Sequence, residues 1–349
     1  MKIVCVGDLL LTAEMMRQGV EQFSRYTQAE YFSVGPGNRH QFRAVIKKME
    51  SEGFGYLELP EEIYKALEDA DVLQVHIAPV PEKVFLTAKK LKMILSNRGG
   101  TENIDVKSAT RRGIPVLCNP AHNANAVAEM TVGLIIAETR NIARNNISLV
   151  RDKKWYEDPP NKGRIHELCS MVIGLVGYGA IGSRVTALLQ PFRSKILVYD
   201  PFVSRDLVNG AVLVADLDEL LEQSDVVSLH ARVSEQTTGM IGASQLRKMK
   251  SSAVLINTAR PALVDMDALY HALKEKIILG AALDVFPVEP LPPDSPFLEL
   301  ENVTLTCHKG GDTVESYRDS PVMVLEQAEN YFQKKTPRFW VNKQELSVF

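Results

Sequence analysis

Cysteine is scarce in this chain, with four residues in 349, and no two of them form a CxxC pair. The four are far apart and lie in or beside apolar runs: Cys5, Cys118, Cys169 and Cys307. This spacing argues against a zinc site and against a CxxC redox motif. Free thiols are typical of a reducing cytosol. We therefore predict no metal site and a cytoplasmic location.

Long hydrophobic runs and a strong charge of one sign are also missing. No stretch approaches 18 apolar residues without a charge, which argues against a membrane-spanning helix. The apolar start, MKIVCVGDLLL, is broken by Asp8 too early for a signal peptide. A net charge of −3 is too close to neutral for a nucleic-acid groove or an anionic membrane surface. We expect neither nucleic acid nor membrane as a partner.

What the sequence does contain is an alternation of short β-branched runs with longer amphipathic segments. This alternation predicts an α/β fold with parallel sheets, and the length favours about two domains. One series runs from KIVCVGD to IPVLCN, and a second runs from MVIGLV to VTLTCH. Between them, the segment from residue 122 on predicts a single helix of about 25 residues. A last helix is expected from Thr313 to Lys334, followed by packed aromatic residues that include Trp340 and Phe349.

The second series opens on a glycine-rich turn, VGYGAIG, in the spacing GxGxxG. The turn follows an apolar strand, opens a helix, and precedes a second strand that ends in Asp200, about 20 residues on. Gly177 permits the tight turn, Gly179 lets a diphosphate approach the backbone, and Gly182 lets the helix pack on the strand. Asp200 can accept hydrogen bonds from a ribose and would repel a 2′-phosphate, which favours NAD. The predicted cofactor-binding residues here are Gly177, Tyr178, Gly179, Ala180, Ile181, Gly182 and Asp200.

From about residue 91 to residue 312, the chain resembles the D-isomer-specific 2-hydroxyacid dehydrogenases. Six motifs occur in the order of that family: NRGGTENIDVK, GLVGYGAIG, SDVVSLHARVSEQTTGMIG, NTARPALVD, AALDVFPVEPLP and NVTLTCHKGG. The resemblance implies two Rossmann-like or flavodoxin-like α/β domains with parallel sheets and an interdomain active-site cleft. It implies a discontinuous substrate domain of residues 1–119 plus 310–349, an NAD-binding domain of residues 120–309, and a homodimer.

The resemblance also implies three catalytic side chains. Arg260 matches the arginine that holds the substrate carboxylate, a task suited to the two-pronged guanidinium. His308 matches the histidine that exchanges a proton with the C2 oxygen, and we place it at the end of the last strand. Glu289 matches the glutamate that hydrogen-bonds the other ring nitrogen of the histidine.

Further site residues follow from the same motifs. The backbone N–H groups of Arg98, Gly99 and Gly100 are expected to bind the substrate carboxylate. Asp284 is expected to accept a hydrogen bond from the nicotinamide carboxamide. The remaining residues expected along the cofactor are Val127, His230, Ala231, Arg232, Thr258 and Ala259.

The substrate and the role of the fold leave alternatives open. Arg98 suggests a substrate with a second anionic or polyhydroxylated end, unless its side chain points to solvent. This favours a sugar acid, or a phosphorylated or dicarboxylic hydroxy acid, over lactate or glyoxylate. Asp8 could accept a hydrogen bond from a substrate hydroxyl, and His76 could face the substrate.

The main prediction for the class of protein is an NAD-dependent dehydrogenase or 2-keto acid reductase. The alternatives are a dinucleotide-sensing scaffold on the same fold and a formate or phosphite dehydrogenase. Glu289 argues against formate enzymes, which have a glutamine there.

Overall fold

The chain, in a computed structural model that describes residues 1 to 346, forms two compact units. The first unit comprises Met1–Asn123 together with the segment from Thr313 on, and the second comprises Ala124–Asp312. Each unit has its own parallel sheet, which confirms the predicted α/β class with two domains. Phe349, which we expected to pack, lies outside the described residues.

The first unit is built on a five-stranded parallel sheet in the order β2-β1-β3-β4-β5. Its strands are β1 (Lys2–Gly7), β2 (Gln28–Ser33), β3 (Val72–Val75), β4 (Met93–Ser96) and β5 (Val116–Leu117). The helices between them are α1 (Ala13–Val20), α2 (Arg39–Glu52), α3 (Glu61–Leu67), α4 (Glu82–Thr87) and α5 (Val106–Arg111). Every residue of β3 and β4 is buried, because helices cover both faces of the sheet.

The second unit has a seven-stranded parallel sheet in the order β12-β11-β10-β9-β6-β7-β8. Its strands are β6 (Val172–Val176), β7 (Lys195–Tyr199), β8 (Val212–Leu213), β9 (Val226–Leu229), β10 (Val254–Asn257), β11 (Gly280–Leu283) and β12 (Val303–Leu305). Its helices are α6 (Ala124–Thr139), α7 (Ile142–Val150), α8 (Ala180–Leu189), α9 (Leu217–Gln223), α10 (Ala243–Lys248) and α11 (Met266–Lys274). The strand order reverses at β6, and ligands of such sheets bind beyond the carboxyl ends of the strands at that point.

The long helix predicted after residue 122 is interrupted, so that prediction is wrong. Asn141 has a φ of +56° between α6 and α7, a left-handed conformation that asparagine tolerates better than most residues. Its side-chain amide donates to Asn161 Oδ1 at 2.6 Å, and Asn161 Nδ2 donates to the carbonyl of Thr139 at 2.9 Å. These bonds satisfy the end of α6 and fix the break.

The last helices return to the first unit as α12 (Val314–Arg318), α13 (Ser320–Phe332) and α14 (Lys343–Leu346). The single helix expected from Thr313 to Lys334 is therefore also wrong. It breaks at Asp319, and Pro321 occupies the first turn of α13, where a missing N–H costs no hydrogen bond. Trp340 packs edge-on against Tyr331, with ring centroids 5.2 Å apart. Among the described helices, none combines the length and the apolarity that crossing a bilayer requires.

Candidate active site

The glycine turn joins β6 to α8 and has a backbone that suits glycine. Gly177 has a φ of +101°, in a region that L side chains rarely adopt. A Cβ on Gly182 would lie 2.2 Å from the carbonyl oxygen of Gly177, which shows that α8 packs directly on the turn. A Cβ on Gly179 would meet no atom within 4 Å, so this residue borders open space.

The backbone amides that begin α8 are free to bind an anion. Those of residues 179 to 182 donate no hydrogen bond within the described part of the chain, as expected of the first N–H groups of a helix. The amide of Tyr178 is occupied, because it donates to Asp200 Oδ2 at 2.8 Å. Free amides at a helix N-terminus fit a diphosphate, since the helix dipole also favours negative charge there.

Asp200 follows β7 directly, at the same edge of the sheet. In addition to the Tyr178 amide, its carboxylate accepts a hydrogen bond from the amide of Phe202 at 2.9 Å. Two of its lone pairs are thus used to hold the carboxylate in place, and the others can accept ribose hydroxyls. The arrangement fits an NAD ribose and disfavours the 2′-phosphate of NADP.

His230 lies behind the glycine turn. Its backbone carbonyl would be 2.9 Å from a Cβ on Gly177, and its Nε2 lies 3.0 Å from Ser228 Oγ. Its Nδ1 is buried and has no hydrogen-bond partner among the described residues. Burial lowers the pKa of His230 to about 4, so its ring is neutral at pH 7. The backbone of His230 packs against the turn, and Ala231 and the exposed Arg232 continue the same loop.

His308 stands three residues beyond the end of β12, so the expectation that it ends the strand is wrong. Its φ is +51°, a left-handed conformation that is several times more common for histidine than for most residues. Its Nδ1 lies 2.7 Å from Glu289 Oε2, and Glu289 Oε1 accepts from the amide of Phe286 at 2.9 Å. Because an ionised carboxylate only accepts hydrogen bonds, Nδ1 is the donor, and Nε2 is left to exchange a proton. Half of the His308 side chain is exposed.

Asp284, fully buried just after β11, holds the backbone on both sides of His308. Its Oδ1 accepts from Thr306 Oγ1 at 2.6 Å and from the amide of Lys309 at 2.9 Å. Its Oδ2 accepts from the amide of Gly310 at 2.8 Å. A residue in the left-handed region persists only where its surroundings fix it, and these three bonds do so. The carboxylate of Asp284 has one further lone pair, which could accept the expected hydrogen bond from the nicotinamide carboxamide.

Arg260 follows β10 and is exposed. Its Nη1 donates to the carbonyl of Ala259 at 2.7 Å. Asn257, the last residue of β10, is completely buried. Its Oδ1 accepts from the amide of Ala259 at 3.0 Å, and its Nδ2 donates to the carbonyl of Arg260 at 3.0 Å. The backbone of the arginine is therefore fixed by a side chain from the sheet.

Helix α6 contributes to the same edge of the second unit. Thr131 Oγ1 donates to the carbonyl of Val127 at 2.7 Å and lies 2.8 Å from the hydroxyl of Thr258. Val127 is in van der Waals range of Gly310, since a Cβ on that glycine would be 3.8 Å from Val127 Cγ2. Val127 thus lies beside the segment that carries His308, and Thr258 contacts the same helix about one turn further on.

In the first unit, Arg98 to Gly100 form the loop after β4. Within residues 1 to 346 their amides donate no hydrogen bond, so they can receive an anion. The guanidinium of Arg98 is turned to its own unit, however. Its Nη2 lies 3.6 Å from Glu50 Oε1 and 3.6 Å from Glu102 Oε2, and its Nη1 contacts Met49 Sδ at 3.0 Å. Two carboxylates balance the charge of this arginine.

Asp8 is not available as an acceptor for a substrate hydroxyl, so that expectation is wrong. Its buried carboxylate accepts from the amides of Leu10 (2.9 Å), Leu11 (3.1 Å) and Ile77 (3.4 Å) and lies 2.6 Å from His76 Nδ1. Burial alone would raise the pKa of Asp8, but the His76 imidazole and the amides of Leu11 and Leu10 outweigh burial and lower it. His76 is buried with its partner, and whether it contacts substrate stays a prediction.

Comparison with known proteins decides the family. Residues 132–310 match the model described as D-isomer specific 2-hydroxyacid dehydrogenase, NAD binding domain. The glyoxylate reductase of Korarchaeum cryptofilum is 37% identical over 82% of this chain and 87% of its own length. The chain belongs to the D-isomer-specific 2-hydroxyacid dehydrogenase family.

Two further similarities agree with this dehydrogenase family. The D-3-phosphoglycerate dehydrogenase of Methanocaldococcus jannaschii is 38% identical over 81% of this chain, which spans 53% of that protein's length. The structure of D-lactate dehydrogenase with NAD+ from Lactobacillus jensenii has a TM-score of 0.75 and 26% identity, and the match covers 98% of this chain and 99% of that one. The predicted NAD-dependent D-2-hydroxyacid dehydrogenase, which transfers a hydride between NAD(H) and C2 of a 2-hydroxy or 2-keto acid, is confirmed.

Two residues of this dehydrogenase were missed in the sequence. Asn257 stands in the motif NTARPALVD, and its position directly before the substrate-arginine loop is the signal that could have pointed to it. Thr131 lies in an apolar helical run, where a hydroxyl that bonds to its own helix is the usual explanation. Its contact with Thr258 joins residues 127 positions apart and has no local signal.

Proposed function

We propose that this dehydrogenase reduces a small 2-keto acid whose only anionic group is the C1 carboxylate, with glyoxylate as the representative. The observation that carries the proposed reduction is the His308–Glu289 pair, with 2.7 Å between Nδ1 and Oε2. An imidazole held at one nitrogen by a carboxylate and exposed at the other is suited to acid–base catalysis.

In this proposal, His308 gives a proton from Nε2 to the C2 oxygen during reduction and takes it back during oxidation. Glu289 holds the ring through Nδ1, and its own orientation is set by the amide of Phe286. NAD, when bound in its reduced form, supplies the hydride that C2 receives. The proton and the hydride together convert the keto group to the hydroxyl, and NAD+ is the other product.

Arg260 is proposed to bind the C1 carboxylate and to polarise the neighbouring keto oxygen. Its exposed guanidinium offers two parallel N–H donors, which match the two oxygens of a carboxylate. The free amides of Arg98, Gly99 and Gly100 are proposed to bind a substrate carboxylate. Carboxylate binding by backbone amides needs no second charged side chain.

The residues proposed to hold the cofactor fit NAD. The amides of residues 179 to 182 would take the diphosphate, and the open space at Gly179 would let it approach the backbone. Asp200 would accept the ribose hydroxyls. The others proposed to line the cofactor are Val127, Gly177, Tyr178, His230, Ala231, Arg232, Thr258, Ala259 and Asp284.

The surroundings of Arg98 favour a small substrate over a phosphorylated one. Glu50 and Glu102 already balance its charge, and a phosphate would have to displace them and meet their repulsion. The name of the Korarchaeum cryptofilum relative agrees with a small 2-keto acid. A sugar acid, or a phosphorylated or dicarboxylic hydroxy acid, which the sequence favoured, stays the alternative substrate.

We also propose that the enzyme works in the cytoplasm as a homodimer. Within the described residues its four cysteines form no disulfide, as a reducing compartment favours. Helix α7 and the segment after it expose several large apolar side chains, which suggests a contact with a second copy. Cell fractionation that finds the protein outside the cytoplasm would contradict the location.

A panel of 2-keto acids tests the substrate class. NADH absorbance is followed with glyoxylate, hydroxypyruvate, 3-phosphohydroxypyruvate and 2-ketogluconate. We expect kcat/KM for glyoxylate or hydroxypyruvate to exceed that for the phosphorylated acid by at least about tenfold. The double variant Glu50→Gln, Glu102→Gln removes both carboxylates beside Arg98. It should bring kcat/KM for the phosphorylated acid closer to that for glyoxylate.

The matched control is Glu52→Gln, which removes a carboxylate of the same helix that pairs with Lys48. It should leave the ratio unchanged. A wild-type enzyme that prefers 3-phosphohydroxypyruvate would overturn the small-substrate proposal. No turnover of any 2-keto acid in the panel would overturn the proposed substrate class altogether.

A further inference from the structure

One buried asparagine fixes the backbone on which the proposed substrate arginine stands. Asn257 ends β10 with no exposed surface. Its amide oxygen accepts from the N–H of Ala259, and its amide nitrogen donates to the carbonyl of Arg260, each at 3.0 Å. The two bonds span the whole loop from the strand end to the arginine. The Arg260 backbone is thereby held in an extended conformation, with φ −146° and ψ 140°.

The same residue is joined to the segment that carries the proposed acid–base histidine. The carbonyl of Asn257 accepts from the amide of Asp284 at 3.0 Å. The carboxylate of Asp284 in turn holds residues 306 to 310 around His308. A series of hydrogen bonds within the second unit thus connects the Arg260 loop to the His308 loop. It runs through the buried residues Asn257 and Asp284.

We propose that Asn257 is a positioning residue, which acts on the reaction through Arg260. The inference rests on the proposed function, because it assigns Arg260 to the substrate carboxylate. Only an amide of this length satisfies both ends of the loop. Aspartate could accept from Ala259 but could not donate to the Arg260 carbonyl, and would set a carboxylate against it.

The expected size of the effect follows from the geometry that catalysis requires. Displacement of a substrate-holding group by about 1 Å can cost on the order of 10²-fold in rate. Loss of both Asn257 bonds frees the loop of residues 258 to 260. Thr258 and Ala259 are proposed to line the cofactor, but the glycine turn and Asp200 lie on other strands and keep their own bonds. Cofactor binding should therefore change far less than the reaction rate.

The first test compares Asn257→Ala and Asn257→Asp with the wild type. We expect kcat/KM for glyoxylate to fall by about 10²-fold, while the Kd of NADH changes far less. The Kd of oxamate for the enzyme–NADH complex, a readout that does not depend on turnover, should rise in parallel. If Asn257→Ala does not fold, Asn257→Ser replaces it, because its hydroxyl is polar but too short to span both ends.

Asn302→Ala is the matched control for the loss of a buried amide. Asn302 is buried in the same unit, and its Nδ2 donates to the carbonyls of Leu273 (3.1 Å) and Leu279 (3.0 Å). Its removal should lower the thermal midpoint as Asn257→Ala does and leave kcat/KM and oxamate binding unchanged. Equal catalytic losses in both variants would mean that Asn257 serves stability alone.

A double-mutant cycle with Arg260→Ala decides whether Asn257 acts through the arginine. If it does, Asn257→Ala should cost less than about threefold in an Arg260→Ala background. If the kcat/KM losses of the two single variants multiply in the double variant, the inference is overturned. Its failure can be told from failure of the proposed function. An unimpaired Arg260→Ala overturns the function, whereas an impaired Arg260→Ala with an unimpaired Asn257→Ala overturns only the inference.

Discussion

At the scale of single residues, the glycines of the turn after β6 differ in what a side chain would meet. A methyl group on Gly182 would collide with the backbone of Gly177, whereas one on Gly179 would enter open space. We predict that Gly182→Ala lowers the free energy of unfolding by about 1–3 kcal/mol. Gly179→Ala should leave the thermal midpoint unchanged and raise the Kd of NADH by about tenfold or more, because its methyl group fills the proposed diphosphate site.

Thermal unfolding and fluorescence titration with NADH measure the two effects on the same preparations. The pair is its own control, since each variant adds one methyl group to the same turn. Wild-type NADH affinity in Gly179→Ala would show that the diphosphate binds elsewhere. A thermal midpoint that falls equally in both variants would contradict the close packing of α8 on the turn.

Single residues also show where sequence reasoning stops. The turn and Asp200 could be predicted, because all their parts lie within about 25 residues and their spacing reflects one local geometry. The hydrogen bond between Asp8 and His76 could not be predicted, because 68 positions separate the two residues. The same holds for Arg98, whose partner Glu50 stands on α2, 48 positions earlier. A charge seen in a sequence does not reveal which neighbour neutralises it.

At the scale of elements, α7 and the segment that follows it form an exposed apolar surface. Its large exposed side chains are Ile142, Ile147, Leu149, Val150, Trp155 and Ile165. Val150 and Trp155 are 72% and 79% exposed, and burial of such a group against a second copy would remove apolar area from water. This surface is the basis of the proposed homodimer.

Val150→Glu should therefore convert the dimer to a monomer, which sedimentation velocity measures directly. The matched control is Leu86→Glu at an exposed apolar position of the first unit, which should leave the dimer intact. A wild-type chain that sediments as a monomer at micromolar concentration, or a Val150→Glu variant that stays dimeric, would rule out this interface.

The ends of elements were the least predictable part of the fold. The periodicity of residues 122 to 150 is helical on both sides of Asn141, and only the bonds to Asn161 make the left-handed break stable. The break at Asp319 has a clearer local cause in Pro321, whose ring prevents a regular helix from passing through. In both places the type of structure could be predicted, and its continuity depended on one residue.

At the scale of the whole chain, the second unit gathers the proposed catalytic groups at one edge of one sheet. The glycine turn, the Arg260 loop, Asp284 and the His308 loop follow β6, β10, β11 and β12, whose carboxyl ends point the same way. The parallel topology therefore explains how residues more than 120 positions apart in sequence can serve one reaction. That topology could be predicted from the alternation of strands and helices.

In the proposed reaction, His308 transfers the proton while other residues of the second unit bind the cofactor. The most direct measurement is the turnover of His308→Ala with NADH and the best 2-keto acid, beside the Kd of NADH. We predict a kcat lower by 10²–10⁴-fold, as for the loss of a general acid, with the Kd unchanged. His271→Ala, at an exposed histidine of α11, should match the wild type. Near-normal turnover in His308→Ala would rule out His308 as the proton donor.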